Sequence, residues 1–138
     1  MEIFMTTDVL IVDDSRAICM LMRRILENAD MSVLEAADGR HALSVLQRID
    51  PPACIVTEID LPVMDGVQLI REVRENPIHA HVPIVVLTRE SDDRRIDQAK
   101  AAGASCIMSK PFDIDEFLDL ITPMVESARQ ASAYRSAC

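Results

Sequence analysis

The sequence lacks a hydrophobic run long enough to cross a membrane. Its most apolar stretches, such as residues 83–87, have the length of a β-strand, whereas a membrane-spanning helix needs about 20 apolar residues. The N-terminal segment also lacks the basic start, the long apolar stretch and the small-residue cleavage site of a secretory signal. These absences predict a soluble domain that stays in the cytoplasm.

The sequence also lacks closely spaced cysteines and an excess of basic residues. Cys19, Cys54, Cys106 and Cys138 are widely separated, so no pair has the Cys-x-x-Cys spacing of a zinc or redox site. We expect ordinary reduced thiols, three of them as small apolar core residues. The net charge of -9 disfavours nucleic acid, which clustered Lys and Arg attract. A divalent cation or a basic protein surface is the better expected partner.

What is present fits one globular domain. The chain has 138 residues, of which 49% are hydrophobic and 27% charged, enough for one sizeable core without metals or disulfides. Strand-like apolar runs alternate with segments of helical periodicity. In chain order we predict strands at 9–12, 32–36, 53–57, 84–87 and 106–108, and helices at 15–29, 39–49, 67–74 and 92–102, then a last helix capped by Asp113. Strict alternation predicts an α/β fold with a parallel sheet covered on both faces.

Polar side chains lie at the carboxyl ends of four predicted strands, where open parallel sheets form their ligand crevice. Asp13 and Asp14 follow the first strand, Glu58 the third, Thr88 the fourth and Lys110 the last. Crowded carboxylates need a cation or raised pKa values, and Mg²⁺ would be held by carboxylates, carbonyl oxygens and water. Lys110 would supply a point charge for an anion and Thr88 a hydrogen-bond donor. We predict a shared ligand pocket, although each residue alone could be a cap, a turn residue or a solvated charge.

Four motifs carry a family resemblance. They are VLIVDDS at 9–15, LPVMDG at 61–66, VPIVVLT at 82–88 and AGASCIMSKPF at 102–112. With them, the chain resembles the receiver domain of two-component response regulators over about residues 8–126. The resemblance implies a flavodoxin-like, doubly wound five-stranded parallel sheet with strand order 2-1-3-4-5 and five helices. Residues 127–138 would form a helical extension, a linker or a tail.

The resemblance also implies roles for the pocket residues. Mg²⁺ would be held by Asp13, Asp14, Glu58 and the backbone carbonyl of Asp60. Thr88 would sense the phosphoryl oxygens and Lys110 would pair with them. A histidine kinase or histidine phosphotransfer protein would act upstream, and an unidentified protein would bind the face formed by the last strand and the last two helices. Pro111 is expected in a cis-type turn.

Position 58 departs from the family pattern. The family's phosphate-accepting aspartate lies four residues before the loop proline, and counting back from Pro62 gives Glu58. Glutamate moves the carboxylate outward by about 1.5 Å, which disturbs the geometry of attack but could bring its oxygens nearer Lys110 and Thr88. Three explanations stay open. Glu58 is an engineered phosphoryl mimic, or it marks a natural receiver that is never phosphorylated, or Glu58 itself or another residue accepts phosphate.

Other positions carry weaker expectations. Ile107 occupies the switch position, where the family often has an aromatic residue, and it has no ring to swing. Arg89 either gates the pocket, covers Glu58 or is solvated. His79 and His81 lack a third metal ligand, and we predict that they are solvated loop residues. Pro123 should kink or restart the last helix.

Three functions compete. The leading expectation is a signalling receiver that presents a protein-binding face and is not itself an enzyme. The second is a small Mg²⁺-dependent phosphotransfer enzyme, which would need pocket walls or a cap, and the chain has no insertion long enough to form them. The third is an interaction module that has lost metal binding, and the presence of Asp13, Asp14, Thr88 and Lys110 together argues against it.

Overall fold

A computed structural model describes residues 6–137. Five strands and five helices alternate along this part of the chain: β1 (Val9–Val12), α1 (Arg16–Asn28), β2 (Val33–Ala36), α2 (Gly39–Leu46), β3 (Cys54–Thr57), α3 (Gly66–Glu75), β4 (Ile84–Thr88), α4 (Asp93–Ala102), β5 (Cys106–Ser109) and α5 (Ile114–Ala137). All strand pairs are parallel, and the order in the sheet is β2-β1-β3-β4-β5. The predicted flavodoxin-like architecture is confirmed.

Side chains at the helix ends explain where most helices begin and end. Ser15, Asp38, Asp65 and Asp92 precede α1 to α4, and each accepts a hydrogen bond from a backbone N–H in the first turn. Helix α4 ends at Gly103, whose φ of 119° lies in the left-handed region that favours glycine. Helix α2 ends earlier than its predicted end at residue 49, because the chain tightens into a turn after Leu46.

Two apolar layers cover the sheet, one on each face. Alternate residues of each strand point to opposite faces, so Leu10 and Val12 lie in one layer, with α2, α3 and α4, while Val9 and Ile11 lie in the other, with α1 and α5. Strands β1, β3 and β4 are buried throughout. The central strands are therefore fixed on both faces, and they hold whatever follows their carboxyl ends.

The cysteines behave as predicted within the described residues. Cys19, Cys54 and Cys106 are free thiols, and all three contribute to the layer beneath α1 and α5. Burial raises the pKa of Cys19 and of Cys54 to about 12, so neither is a thiolate at neutral pH. Cys138 lies outside the described residues.

Helix α5 passes through Pro123 without restarting. Of the predicted kink or restart, the restart is wrong, since a single helix runs from Ile114 to Ala137, and the kink stays a prediction. Phe117, Ile121 and Val125 are buried along one side of it, and this packing holds the helix on both sides of the proline. Residues 127–137 continue the same helix. Although α5 has 24 residues, none of the described helices combines the length and apolar character needed to cross a membrane.

The prediction of solvated histidines is wrong for His79. Its side chain is buried, with 5% exposure, and it lines a small cavity between α2 and α3 beside Leu46 and Val73. The turn explains this position, because the His79 N–H donates to the Asn76 carbonyl at 3.0 Å and folds the residue back against the helices. Nε2 of His79 has no hydrogen-bond partner within residues 6–137. His81 is exposed.

The burial of His79 predicts a loss of stability in mild acid. Burial lowers the pKa of His79 below its usual value, and the nearby His81 lowers it further, against a hydrogen bond to the Leu46 backbone. The folded state therefore binds fewer protons than the unfolded state, so stability is complete above about pH 6.5 and falls as the pH drops through that value. Urea midpoints measured between neutral and mildly acidic pH should show this fall. The fall should shrink in His79→Gln and persist in His81→Gln, and an equal slope in both variants would contradict the assignment.

Candidate functional site

The site lies at the carboxyl ends of four neighbouring strands. The parallel register pairs Val12 with Thr57 and Thr88 with Ser109, so the residues after β1, β3 and β5 arrive at the same edge of the sheet as Thr88. Backbone hydrogen bonds extend this alignment beyond the strands, from the Glu58 N–H to the Val12 carbonyl at 3.0 Å and from the Lys110 N–H to the Thr88 carbonyl at 2.9 Å. The fold thus brings Asp13, Glu58, Thr88 and Lys110 together.

Both carboxylate oxygens of Glu58 are engaged. Oε1 accepts hydrogen bonds from the Thr88 hydroxyl and from the backbone N–H groups of Ile59, at 2.7 Å, and Asp60, at 3.4 Å. Oε2 accepts one from Lys110 Nζ at 2.9 Å. Glu58 itself is 8% exposed. A buried carboxylate is stable only when its oxygens are paired in this way.

Lys110 forms the charged centre of the site. Its Nζ lies 2.6 Å from Asp13 Oδ2 and 2.9 Å from Glu58 Oε2, and its side chain is 7% exposed. The other oxygen of Asp13, Oδ1, accepts the Ser15 N–H at 2.9 Å. One ammonium thus bridges two buried carboxylates. Charge-assisted hydrogen bonds of this kind are shorter and stronger than neutral ones.

The contacts keep the pocket charged at neutral pH. Burial alone would raise the pKa of Glu58, but the hydrogen bonds from Thr88, Lys110 and the Ile59 backbone hold that pKa below its usual value. For Lys110, burial alone would lower the pKa, and the hydrogen bonds to Asp13 and Glu58 raise it instead. Glu58 is therefore ionised and Lys110 protonated under ordinary conditions.

Asp14 and Asp60 lie at the rim of the site. Asp14 is exposed and has no hydrogen bond or ion pair to any other side chain between residues 6 and 137. Asp60 is exposed as well, and its carboxylate contacts Arg95. Burial, with repulsion from Glu90, raises the pKa of Asp60. The carboxylates of Asp14 and Asp60 thus face solvent, while the backbone of Asp60 contacts Glu58 Oε1.

The site offers the oxygen ligands that Mg²⁺ prefers, but among its described residues it does not hold three carboxylates close enough together to form a metal cluster. In the described part of the chain, no three acidic, histidine or cysteine side chains stand close enough to hold a metal together. Thr88 and Lys110 engage both oxygens of Glu58, and the place of Glu58 among the metal ligands predicted with Asp13 and Asp14 stays a prediction. Mg²⁺ is commonly held by one or two carboxylates with carbonyl oxygens and water. Asp13, Asp14 and the Asp60 carbonyl would meet that requirement, with the Asp13 carboxylate shared between the ion and Lys110.

In the loop after Glu58, the backbone at Gly66 packs closely against the backbone of Glu58 and Ile59. Gly66 begins α3, and its N–H donates to the Ile59 carbonyl at 2.8 Å. A Cβ at Gly66 would lie 2.2 Å from the Glu58 carbonyl oxygen and 2.9 Å from the Ile59 Cα. A glycine is required here, because the oxygen it meets belongs to the main chain that positions Glu58.

Ile107 and Arg89 have different surroundings. Ile107, on the edge strand β5, is half-buried and packs against the layer beneath α2, α3 and α4. Arg89 is exposed and makes no hydrogen bond or ion pair with the other residues that the structure describes. Of the interpretations open for Arg89, the structure thus shows the solvated one.

Lys110 and Pro111 are joined by a cis peptide bond, as the resemblance implies.

Sequence reasoning missed Arg95, which reaches the site from α4. Its guanidinium contacts the carboxylates of Asp60, at 3.0 Å, and Asp65, at 3.7 Å, and lies 4.0 Å from that of Glu90. A signal was available, because a cation is unfavourable in the first turn of a helix, next to the positive end of its dipole. An arginine at that position indicates acidic partners outside the helix.

Comparisons with known proteins agree with the fold. Residues 9–122 match the family described as the response regulator receiver domain. The chain is 28% identical over 117 residues to sporulation initiation phosphotransferase F of Bacillus subtilis, covering 85% of this chain and 92% of that protein. The structure of the chemotaxis response regulator CheY4 of Vibrio cholerae has 32% identity and a TM-score of 0.78, and the match covers 87% of this chain and 99% of that one.

The extent of the match differs among relatives. A histidine kinase of Formosa agariphila is 30% identical over 125 residues, which is 91% of this chain but 9% of the kinase. The receiver domain thus occurs both nearly alone and as a small part of larger proteins. Because the family match spans most of the chain and the fold agrees, this chain belongs to the response regulator receiver domain family of two-component signalling.

Proposed function

We propose that this receiver domain carries its signal in a phosphorylation-independent form, in which the Glu58 carboxylate occupies the place of a phosphoryl group. One observation carries the proposal: Glu58 contacts Thr88 through one oxygen and Lys110 through the other. These are the two side chains that would otherwise engage phosphoryl oxygens. A carboxylate has one negative charge where a phosphoryl group has about 1.5 to 2, so it imitates the position better than the charge.

The longer side chain explains why Glu58 reaches both partners. An aspartate at this position would end about 1.5 Å earlier, short of the contacts that Glu58 makes with Thr88 and Lys110. The same extension removes the carboxylate from the point at which an in-line attack on a phosphodonor begins. Glu58 is therefore suited to fill the phosphoryl position and poorly suited to accept a phosphoryl group.

In this proposal, Mg²⁺ and Lys110 compete for the carboxylate of Asp13. Receiver domains typically bind this ion, and Asp13, Asp14 and the Asp60 carbonyl would hold it here. When bound, it would supply positive charge beside the acceptor position. Lys110 Nζ already neutralises Asp13 at 2.6 Å, so a bound cation would share that carboxylate with the ammonium and be repelled by it. We expect weaker Mg²⁺ binding than in a receiver with aspartate at position 58.

The remaining partners follow from the family. A histidine kinase or histidine phosphotransfer protein would act upstream, in the cytoplasm, and an unidentified protein would bind downstream. We propose no enzymatic activity of the domain's own, since its pocket is filled by its own side chains. A second candidate function, an interaction module that works without metal, is favoured by the same contact between Lys110 and Asp13.

A phosphodonor experiment tests the proposed role of Glu58. The protein and its Glu58→Asp variant are incubated with acetyl phosphate and Mg²⁺, and intact mass spectrometry measures the phosphorylated fraction. We expect efficient labelling of the Glu58→Asp variant and at least about tenfold slower labelling of the unaltered protein, because misplaced attack geometry costs about one to two orders of magnitude in rate.

Two controls make the phosphodonor result specific. Asp60→Asn, made in the Glu58→Asp background, should still be labelled, which excludes Asp60 as the acceptor. Omitting Mg²⁺ should abolish labelling of the Glu58→Asp variant. Equal labelling rates for the unaltered protein and its Glu58→Asp variant would contradict the proposal, because Glu58 would then be an ordinary acceptor.

A further inference from the structure

Helix α4 is the helix with the least apolar anchoring to the sheet. Of its residues, Ala99 alone is buried. Ile96 and Ala102 are half-buried and contact the layer beneath α2, α3 and α4. Since apolar burial supplies most of the energy that fixes a helix in place, polar contacts must contribute an unusually large share of what positions α4.

Two arginines hold opposite ends of α4. At its C-terminal end, Arg74 of α3 donates to the Gly103 carbonyl from Nε at 3.0 Å and from Nη2 at 2.9 Å. Arg74 also donates to the Ala80 and Val82 carbonyls, at 2.8 and 2.6 Å. These contacts lie at the end of the sheet away from the site. They hold the last turn of α4 without contacting a pocket residue.

Arg95 holds the N-terminal end of α4, and its partners lie on the loops that follow two pocket residues. Asp60 and Asp65 come from the loop that follows Glu58, and Glu90 comes from the loop that follows Thr88. The side chain of Arg95 is 31% exposed. Arg95 therefore ties the first turns of α4 mainly to the loop after Glu58, because its Nε, 4.0 Å from Glu90, has no hydrogen-bond partner within residues 6–137.

Hydrogen bonds connect Asp60 and Glu90 to Glu58, the first directly and the second through Thr88. The Asp60 N–H donates to Glu58 Oε1 at 3.4 Å. On the other side, Thr88 donates its hydroxyl to the same oxygen and accepts the Glu90 N–H at 2.9 Å. A change in the carboxylate at position 58 therefore reaches Arg95 through Asp60, whose carboxylate lies 3.0 Å from the guanidinium, and more weakly through Thr88 and Glu90, whose carboxylate lies 4.0 Å away.

We propose that Arg95 is the positioning residue that couples the Glu58 pocket to helix α4. It holds the N-terminal half of α4 against the pocket loops, while Arg74 holds the C-terminal end. This inference rests on the proposed function, because it concerns how the occupied pocket is read at α4.

Amide hydrogen exchange of α4 tests the proposal in two steps. In the first step, Arg95→Ala is compared with Arg94→Ala, which is the matched control. The Arg94 side chain is 91% exposed, and among the described residues its only ion pair is with Asp92, at 4.0 Å. Arg95→Ala should speed exchange in α4 by about fivefold or more, as the loss of a small ion-pair network predicts. Arg94→Ala should leave exchange within about twofold. Arg95→Lys, which keeps the charge but not the fork of donors, should restore part of the protection.

The second step distinguishes coupling between the pocket and α4 through Arg95 from a general loss of α4 stability. Glu58→Gln, which neutralises the pocket residue, is made both in the unaltered protein and in Arg95→Ala. We expect Glu58→Gln to change the exchange of α4 and the amide shifts of β5 by NMR when Arg95 is present. In Arg95→Ala the additional change in α4 should be reduced at least about threefold, as for two residues of one coupled network.

The outcomes distinguish this inference from the proposed function. If Glu58→Gln alters α4 equally with and without Arg95, or if Arg95→Ala and Arg94→Ala exchange alike, Arg95 is not the coupling residue and the role proposed for Glu58 stands. If Glu58→Gln leaves α4 and β5 unchanged in the unaltered protein, the pocket does not signal to this face, and both the coupling and the proposed function are overturned.

Discussion

Replacing Lys110 with methionine is expected to destabilise the domain by about 3 kcal/mol. Lys110 is the ammonium that neutralises Asp13 and Glu58 at 2.6 and 2.9 Å, with 7% of its side chain exposed. Methionine keeps most of the apolar stem but removes the charge, which leaves two buried carboxylates facing each other without a cation. Removing one member of a buried ion pair costs far more than the pair contributes, because the remaining charge stays buried.

Urea denaturation of matched variants measures this effect. Lys100→Met is the control, because Lys100 is exposed on α4 and should change the free energy of unfolding by less than about 0.5 kcal/mol. Adding Glu58→Gln to Lys110→Met removes one of the uncompensated charges and should recover part of the loss. If Lys110→Met is no more destabilising than Lys100→Met, the ammonium does not hold the pocket together.

Replacing Gly66 with alanine should also destabilise the domain strongly, again by about 3 kcal/mol. The added Cβ would lie 2.2 Å from the carbonyl oxygen of Glu58, and main-chain atoms cannot rotate aside as a flexible side chain can. Without this contact the change would be favourable, since alanine within a helix is about 0.5 to 1 kcal/mol better than glycine. Helix propensity alone would therefore predict a gain in stability for Gly66→Ala, whereas we expect a loss.

Gln68→Ala is the matched control for Gly66→Ala. Gln68 is exposed in the same helix, so the control tests the effect of alanine in the first turns of α3 without a steric conflict. Gly66→Ala should also disturb the site, because the displaced carbonyl belongs to Glu58, and the amide signals of Thr88 and Lys110 should shift. Unchanged stability and unchanged signals in Gly66→Ala would show that the loop yields easily and does not position Glu58.

The fold and much of the site could be predicted because their causes are local. Short β-branched runs such as residues 9–12 and 84–88 indicate buried strands, and strict alternation with helices leaves few possible topologies. The residues that follow such strands must meet at one edge of the sheet. Asp13, Glu58, Thr88 and Lys110 could therefore be placed together from the sequence.

Contacts made by long side chains could not be predicted in the same way. Arg95 reaches Asp60 over 35 positions of sequence, and Arg74 reaches Gly103 over 29. Whether His79 is solvated or buried depends on how a turn lies against two helices, which no periodic pattern encodes. The contacts that Glu58 makes with Thr88 and Lys110 likewise depend on tertiary geometry.

The most direct test of the central claim compares three states of the domain by NMR. The states are the unaltered protein, its Glu58→Asp variant, and that variant with beryllofluoride and Mg²⁺, which together imitate a phosphorylated aspartate. The amide signals of Thr88, Lys110, α4 and β5 are compared. If Glu58 stands in for the phosphoryl group, the signals of the unaltered protein should lie closer to those of the beryllofluoride-bound variant. Signals that coincide instead with those of the untreated Glu58→Asp variant would contradict the account.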